Sequence, residues 1–251
     1  MKTFSSIDAW RTYRNTLRAG SVGFVPTMGA LHRGHLSLLA ESLKNNAFTI
    51  ASVFVNPRQF DDGSDFEAYQ TDYQSDLEQL KKAGVDAVLM PDTDQVYADG
   101  YRFRVSEVEF SRRFCGADRP GHFDGVLTVV MKLLNLVRPD NAYFGKKDFQ
   151  QLQLVRDMVA AFFMPVNIVA CPTIREADGL ALSSRNQRLD DQQRQKASTL
   201  FTALKHSKTA NEAREILADQ GFEVDYVEDF ADRRLAAVRL GHTRLIDNVP
   251  I

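Results

Sequence analysis

Two histidines three positions apart, His32 and His35, close a run that opens Pro26-Thr27-Met28-Gly29-Ala30-Leu31 and continues through Arg33 and Gly34. These types in this order suit phosphate chemistry. Glycine lets backbone approach a ligand closely and supplies free N–H groups. A helix N-terminus carries roughly half a positive charge and favours phosphate. Two imidazoles at that mouth can donate hydrogen bonds to a phosphoryl group whose charge grows in the transition state. The plain alternative is a tight turn with two surface histidines, and the surrounding ten-residue context after a strand weighs against it. A zinc site is the other alternative. Its i, i+3 spacing permits ligation, but no nearby Cys or third His completes a set, and Glu41 lies two turns away.

The elements that must position these groups follow from periodicity. Val22 to Val25 is an apolar run expected to stop at Pro26, and Leu36, Leu39 and Leu43 recur at helical spacing over Gly34 to Lys44. Phe48 to Val55 reads as a buried strand, Asp72 to Ala83 as an amphipathic helix stopped by Gly84, and Val85 to Met90 as a strand. Gly125 to Leu136 reads as a helix, Ala142 to Phe144 as a strand, Asp148 to Phe162 as a helix and Val166 to Ala170 as a strand. Such alternation predicts an α/β domain with a doubly wound parallel sheet, in which ligands sit outside the carboxyl ends of the strands. Beyond about Arg175 the texture changes. Asp190 to Lys205 and Asn211 to Gln220 read as helices, and Phe222 to Phe230, Leu235 to Leu240 and Thr243 to Ile246 as strands, a small α+β domain. The expected division is residues 1–175 and 176–251, with the polar stretch Glu176 to Asn186 as linker and hinge.

The composition is that of a globular protein and leaves room for a local cationic pocket for a small anionic ligand. The chain has 251 residues, 44% hydrophobic and 25% charged, enough for a substantial core. Its 31 Lys plus Arg against 33 Asp plus Glu give a net charge of −2, without the basic field that nucleic-acid binding needs. No apolar stretch suffices to span a bilayer, and the Met-Lys-Thr-Phe-Ser-Ser start lacks a secretory apolar run. Cys115 and Cys171 match no zinc or redox spacing and read as free thiols. A cytoplasmic protein is expected, with no nucleic-acid or membrane partner.

The Thr-x-Gly-x-x-His-x-Gly-His run resembles the "HIGH" signature of the nucleotidylyltransferase superfamily, which includes class I aminoacyl-tRNA synthetases. Further stretches narrow the resemblance: Phe54-Val55-Asn56-Pro57-Arg58-Gln59-Phe60, Arg119-Pro120-Gly121-His122-Phe123, Tyr143-Phe144-Gly145-Lys146-Lys147-Asp148-Phe149-Gln150-Gln151, Asp178-Gly179-Leu180-Ala181-Leu182-Ser183-Ser184-Arg185-Asn186 and Thr243-Arg244-Leu245-Ile246-Asp247-Asn248. In this order they are similar to the pantothenate synthetase (pantoate–β-alanine ligase) family over nearly the whole chain.

The resemblance implies a Rossmann-type N-terminal domain with a small C-terminal lid, and two chemical steps. Pantoate and ATP give pantoyl adenylate and pyrophosphate; β-alanine then attacks the adenylate to give pantothenate and AMP. Joining a carboxylate to AMP removes the charge that makes it a poor electrophile, and cationic and N–H donors must offset the repulsion between the two anions. By resemblance, Thr27 to His35 (Thr27, Met28, Gly29, Ala30, Leu31, His32, Arg33, Gly34, His35), Gly145, Lys146, Lys147, Asp148, Ile174, Leu182, Ser183, Ser184 and Arg185 bind ATP. Of these, His35 with His32 beside it, Lys147, Ser183, Ser184 and Arg185 carry the catalytic assignments. Asp148 matches the ribose-contacting acid, and a helix N-cap remains open for it. Gln59 and Gln151 match the pantoate-binding glutamines, and Gln59 also a β-alanine contact. Asp76 matches the acid near magnesium. A homodimer is implied as well.

The chain also departs from the family pattern. Cys115 stands where many relatives have Glu, Lys146 replaces the Glu of Gly-Glu-Lys-Asp, and Tyr69-Gln70-Thr71-Asp72 replaces Tyr-Pro-Arg-Thr. The C-terminal part is expected to be short for the family. Two other functions compete: a nucleotidylyltransferase acting on a phosphorylated acceptor, which would not need the two glutamine motifs and Gly-Lys-Lys-Asp together, and a silent nucleotide-binding regulator, which would be expected to have lost a histidine or the Ser-Ser-Arg loop.

Overall fold

A computed structural model describes residues 1–18, 20–60, 66–67, 69 and 72–251. The departures at Gln70 and Thr71 lie outside these residues. The apolar runs of the first two thirds become strands β1 (Lys2–Phe4), β2 (Val22–Thr27), β3 (Phe48–Val53), β4 (Ala87–Leu89), β5 (Asn141–Gly145) and β6 (Asn167–Cys171). They form one sheet in the order β1-β4-β3-β2-β5-β6, with every pairing among the described residues parallel. Parallel neighbours require crossovers. The helices in those crossovers are α1 (Ile7–Thr16), α2 (Arg33–Asn45), α3 (Tyr73–Ala83), α4 (His122–Val137) and α5 (Phe149–Ala161).

From β2 the chain moves outward through β3 and β4, then returns to lay β5 on the opposite flank of β2. The strand order therefore reverses between β2 and β5, and sheets of this kind take ligands at the carboxyl ends on either side of such a point. Those ends are Thr27 and Gly145.

Alternate side chains cover the two faces of this sheet. Val25, Ala51, Val53, Val88 and Tyr143 pack with Leu38 and Leu39 of α2 and Leu80 of α3. The intervening Phe24, Ile50, Ala87, Leu89, Ala142 and Phe144 are buried too. Burial on both faces is why these strands read as continuous apolar runs.

Two readings from the sequence need correction here. β2 does not stop at Pro26 but runs to Thr27, with Pro26 opposite Ser52 of β3. The ladder from β2 to β5 covers only Gly23 and Phe24, so Pro26 sits where one flank of the strand is already unpaired, a position that tolerates the missing N–H. The N-terminal β1 and α1 went unread because only Trp10 of α1 is buried, leaving no helical stripe. The Trp10 indole donates to the Leu136 carbonyl at 2.9 Å, and Arg14 donates to the carbonyls of Val137 and Arg138 at 2.8 Å each. These groups satisfy carbonyls at the C-terminal end of α4 that have no partner within the helix.

Contacts divide the chain into one unit of residues 1–145 and 150–171 and a second of 146–149 and 172–251. In the second, α6 (Asp191–Ala197), α7 (Thr199–His206) and α8 (Ala210–Asp219) accompany an antiparallel sheet of β7 (Glu223–Phe230), β8 (Arg233–Leu240) and β9 (Thr243–Pro250). Its core contains Leu200, Leu204, Leu217, Phe222, Val238 and Leu245. The single helix expected over Asp190 to Lys205 is interrupted at Ser198, whose hydroxyl hydrogen-bonds the Gln195 carbonyl. Among the described residues no helix is long and apolar enough to cross a membrane.

Candidate active site

The hydroxyl at the end of β2 starts the turn. Thr27 Oγ1 donates to the Ser52 carbonyl (2.7 Å) and accepts the Gly29 N–H (3.2 Å). Gly29 and Ala30 then adopt positive φ, 79° and 50°. In that conformation the Ala30 and Leu31 N–H groups reach the two oxygens of Asp76, at 2.9 and 2.8 Å. Asp76 lies in the first turn of α3 and is 1% exposed.

The histidines themselves cap the helix that follows. His32 Nδ1 accepts the Gly34 N–H (3.1 Å), and His35 Nδ1 accepts the His32 N–H (3.3 Å), with the ring centroids 4.0 Å apart. This is a capping box made of two imidazoles. The N–H groups of Gly29, Ala30, Leu31, His32 and Gly34 thus all have acceptors within the protein. The cradle of free N–H groups expected from the glycines is therefore not what this loop presents. A neutral imidazole whose Nδ1 accepts carries its proton on Nε2, so the cap sets both rings as Nε2–H donors.

Gln59 ends a short turn after β3, Pro57–Gln59, and is held from several sides. Asn56 Oδ1 accepts the Arg58 N–H (3.2 Å) and the Tyr97 hydroxyl (2.6 Å). Burial is the main cause that pushes the Tyr97 phenol up, so it stays a donor. Asn56 Nδ2 donates to Gln59 Oε1 and to the Gly125 carbonyl, both at 3.1 Å. Gln59 Nε2 reaches Met28 Sδ at 2.9 Å, which ties it to the loop after β2. Its backbone carbonyl accepts from Arg119 Nη2 (3.1 Å) and hydrogen-bonds His122 Nδ1 (2.7 Å), and Arg119 Nη1 lies 3.2 Å from His122 Nε2. The Arg-Pro-Gly-His stretch thus supports Gln59. α4 comes this close because residue 125 is glycine: a Cβ there would lie 2.0 Å from the Arg58 carbonyl oxygen.

The neighbouring glutamines of α5 divide their work. Gln150 is buried and spends its amide on the Cys115 N–H and the carbonyls of Phe110 and Arg113. Gln151 is half-buried, and its side chain makes no hydrogen bond among the described residues.

In the second unit, Lys146–Asp148 form a 3-10 turn. Lys146 is exposed, whereas the Lys147 side chain is 18% exposed with Nζ 3.8 Å from Asp148 Oδ1. Ile174 and Leu182 close a loop through the Leu182 N–H to the Ile174 carbonyl (2.9 Å), with a bridge between Arg175 and Ala181. At its tip Gly179 has φ 94°, and a Cβ there would meet the Phe201 ring at 2.3 Å. Ser183 then caps the turn Ser184–Arg188 by accepting the Arg185 N–H (3.3 Å). Arg175 holds Asp247 through two hydrogen bonds (2.5 and 2.9 Å) and stacks 4.1 Å from Phe201. Burial pushes the Asp247 carboxyl up, and Arg175 opposes that shift.

Sequence reasoning missed Asn56, Tyr97, Gln150, Arg175 and Asp247 as the groups behind these arrangements. Buried polar residues within motifs were the available signal. Asp76 was expected to serve magnesium, but both of its oxygens are engaged by backbone N–H groups. Among the described residues no group of three His, Cys, Asp or Glu could hold a metal ion.

The family described as "Pantoate-beta-alanine ligase" matches residues 2–250. The chain is 53% identical to the pantothenate synthetase of Bdellovibrio bacteriovorus over 251 residues, covering 100% of this chain and 98% of that one. It is 47% identical to that of Legionella pneumophila over 249 residues, covering 99% of each. The chain thus spans nearly the whole length of these relatives. Among solved structures, it is similar to a Francisella tularensis pantoate-beta-alanine ligase complexed with "Beta-gamma ATP and Beta-alanine" (TM-score 0.95, 37% identity, 100% of this chain and 97% of that one). It also resembles the pantothenate synthetase of Thermus thermophilus (TM-score 0.92, 41% identity, 100% and 99%).

Proposed function

The chain belongs to the pantoate–β-alanine ligase family, and from that premise we propose how its own residues carry the reaction. It is an ATP-dependent ligase that condenses pantoate with β-alanine. The proposed path has two steps, adenylation of the pantoate carboxylate with release of pyrophosphate, then attack of the β-alanine amine with release of AMP.

The observation that carries this reading is the imidazole capping box. His32 and His35 are set as Nε2–H donors at the N-terminus of α2, beside the carboxyl end of the central strand β2. Such donors suit the charge that develops on the leaving pyrophosphate. Lys147, Ser183, Ser184 and Arg185 are proposed to bind phosphate oxygens, the guanidinium bidentately. Gly145, Lys146, Ile174 and Leu182 complete the proposed ATP contacts, with Asp148 on the ribose. Gln59, locked between Asn56 and Met28, and the unengaged Gln151 are proposed to hold pantoate's hydroxyls and carboxylate, and Met28 to face its gem-dimethyl group.

Magnesium is proposed to arrive with the nucleotide, where it neutralises triphosphate charge. Asp76, buried with each oxygen on a loop N–H, is proposed to support the loop, and no protein ligand is assigned to the ion. We propose that the enzyme works in the cytoplasm as a homodimer; its two cysteines, both buried and in no disulfide among the described residues, suit a reducing compartment. Purified protein supplied with ATP, magnesium, pantoate and β-alanine should form pantothenate and AMP in equal amounts. ADP as the nucleotide product would overturn the adenylation path.

A further inference from the structure

Asn248, a β9 residue 2% exposed, spends every polar atom it has inside the second unit. Its backbone N–H donates to Asp247 Oδ1 (2.7 Å), and its carbonyl accepts from Arg175 Nη2 (3.3 Å). Its side-chain Oδ1 accepts from Arg233 Nε (2.5 Å). Its Nδ2 donates to the carbonyls of Lys146 (3.0 Å) and Lys147 (2.8 Å). Only an amide meets these demands, because one end must accept and the other must donate twice.

The two carbonyls have a particular relation to Lys147. The Lys146 carbonyl lies in the rigid peptide plane before the Lys147 Cα, and the Lys147 carbonyl lies in the plane after it. One amide therefore fixes both planes flanking that Cα, and with them the direction in which the lysine side chain leaves the backbone. Arg233, which orients the amide, also lies 5.6 Å from the ring of Phe149, the residue that follows the turn.

We propose that Asn248 is a positioning residue for Lys147: it aims the ammonium group by fixing the backbone on both sides of it. This rests on the phosphate-binding reading of Lys147. Asn248→Asp keeps the shape and the acceptor for Arg233 but turns a carboxylate toward the two carbonyls, so both donated bonds are lost.

The experiment is a double-mutant cycle in the full-length protein, with kcat/KM for ATP and thermal unfolding measured for Asn248→Asp, Lys147→Ala and the pair. A misplacement near 1 Å costs roughly 10²-fold in rate. Asn248→Asp should lower kcat/KM by up to about that factor in the parent and change it little when Lys147 is already Ala, since interacting residues are non-additive. An equal loss in both backgrounds would mean that Asn248 acts elsewhere or only on the fold, and would overturn the proposal. So would an Asn248→Asp enzyme at parental rate beside a damaged Lys147→Ala enzyme. A Lys147→Ala enzyme at parental rate would instead remove the reading of Lys147 on which the proposal stands, and the proposal with it. If Asn248→Asp does not fold, Asn248→Ser, which keeps one small donor, takes its place under the same outcomes.

Discussion

His35 Nδ1 accepts the backbone N–H of His32, so one imidazole both closes the first turn of α2 and has its tautomer set by doing so. The two roles separate by substitution. His35→Ala removes the cap and the donor; His35→Gln keeps an acceptor at the third helical position, where capping boxes use Gln or Glu. Both variants should lose about 10²- to 10³-fold in kcat, since Ala has no donor and the Gln amide N–H is displaced from the place of the ring Nε2–H. Only His35→Ala should also lose stability, by about 0.5–2 kcal/mol on the scale of other lost caps. Parallel turnover and thermal-unfolding measurements decide it. A Gln variant with parental turnover would show that His35 is only a cap.

Asp76 offers a test of what supports that loop. Asp76→Asn replaces one acceptor by an NH2 group that faces a backbone N–H, so one of the bonds to Ala30 and Leu31 is lost. An unsatisfied buried group costs about 1–3 kcal/mol, and a shifted loop should lower kcat. The magnesium concentration that gives half-maximal rate should stay where it is. A large rise in that concentration, with turnover restored by excess magnesium, would return Asp76 to the metal.

The adjacent glutamines should respond in opposite ways. Gln150→Ala strips three hydrogen bonds from the 110–115 segment and should chiefly lower thermal stability. Gln151→Ala removes no bond among the described residues and should chiefly raise KM for pantoate while leaving the unfolding temperature near parental. A pantoate KM that moves only in the Gln150 variant would reverse the assignment.

These glutamines also show how far the sequence could be read. Both sit in one motif, and the resemblance picked Gln151 without saying what Gln150 does. That answer depends on the fold of residues 110–115, which has no periodic signal. The parallel sheet was legible because strands buried on both faces are apolar throughout. α1 was not, because a helix that buries one tryptophan has no stripe. The histidines were legible as donors, but the turn's N–H groups were misread as free. Two of these N–H groups are taken by Asp76, a residue from far along the chain, and the others by Thr27, His32 and His35 within the motif itself. Arg175, Asp247 and Asn248 were similarly hidden, since their partners lie about 70 to 100 residues away in sequence.

Gly125→Ala should disturb the pantoate platform without touching a ligand-facing group. Its Cβ would press on the Arg58 carbonyl at 2.0 Å and the Gln59 nitrogen at 2.8 Å, both backbone atoms that cannot swing aside. Overpacking of this kind costs about 1–3 kcal/mol. The displaced turn carries Gln59, so pantoate KM should rise more than ATP KM. Equal changes in both constants would place Gln59 away from pantoate.

The order of chemistry is testable by isotope exchange. If adenylation comes first, labelled pyrophosphate should enter ATP when pantoate and magnesium are present and β-alanine is absent. The support lies in which groups the protein holds ready. The Nε2–H donors of His32 and His35 are fixed by the protein's own backbone. Gln59 is likewise held by Asn56, Met28, Arg119 and His122 through the protein's own bonds. Neither arrangement calls for an amine. A carboxylate must lose its charge before an amine can attack it productively, and transfer of AMP accomplishes that loss. Gln151→Ala should therefore raise the pantoate concentration needed for exchange, while nucleotide binding measured in the absence of pantoate stays near parental. His35→Gln should slow exchange as much as it slows overall turnover, since the donor of His35 is proposed to serve the step in which pyrophosphate leaves. Exchange that begins only when β-alanine is added would mean that the amine takes part in the first chemical step, and the adenylate would then not be a free-standing intermediate on this enzyme.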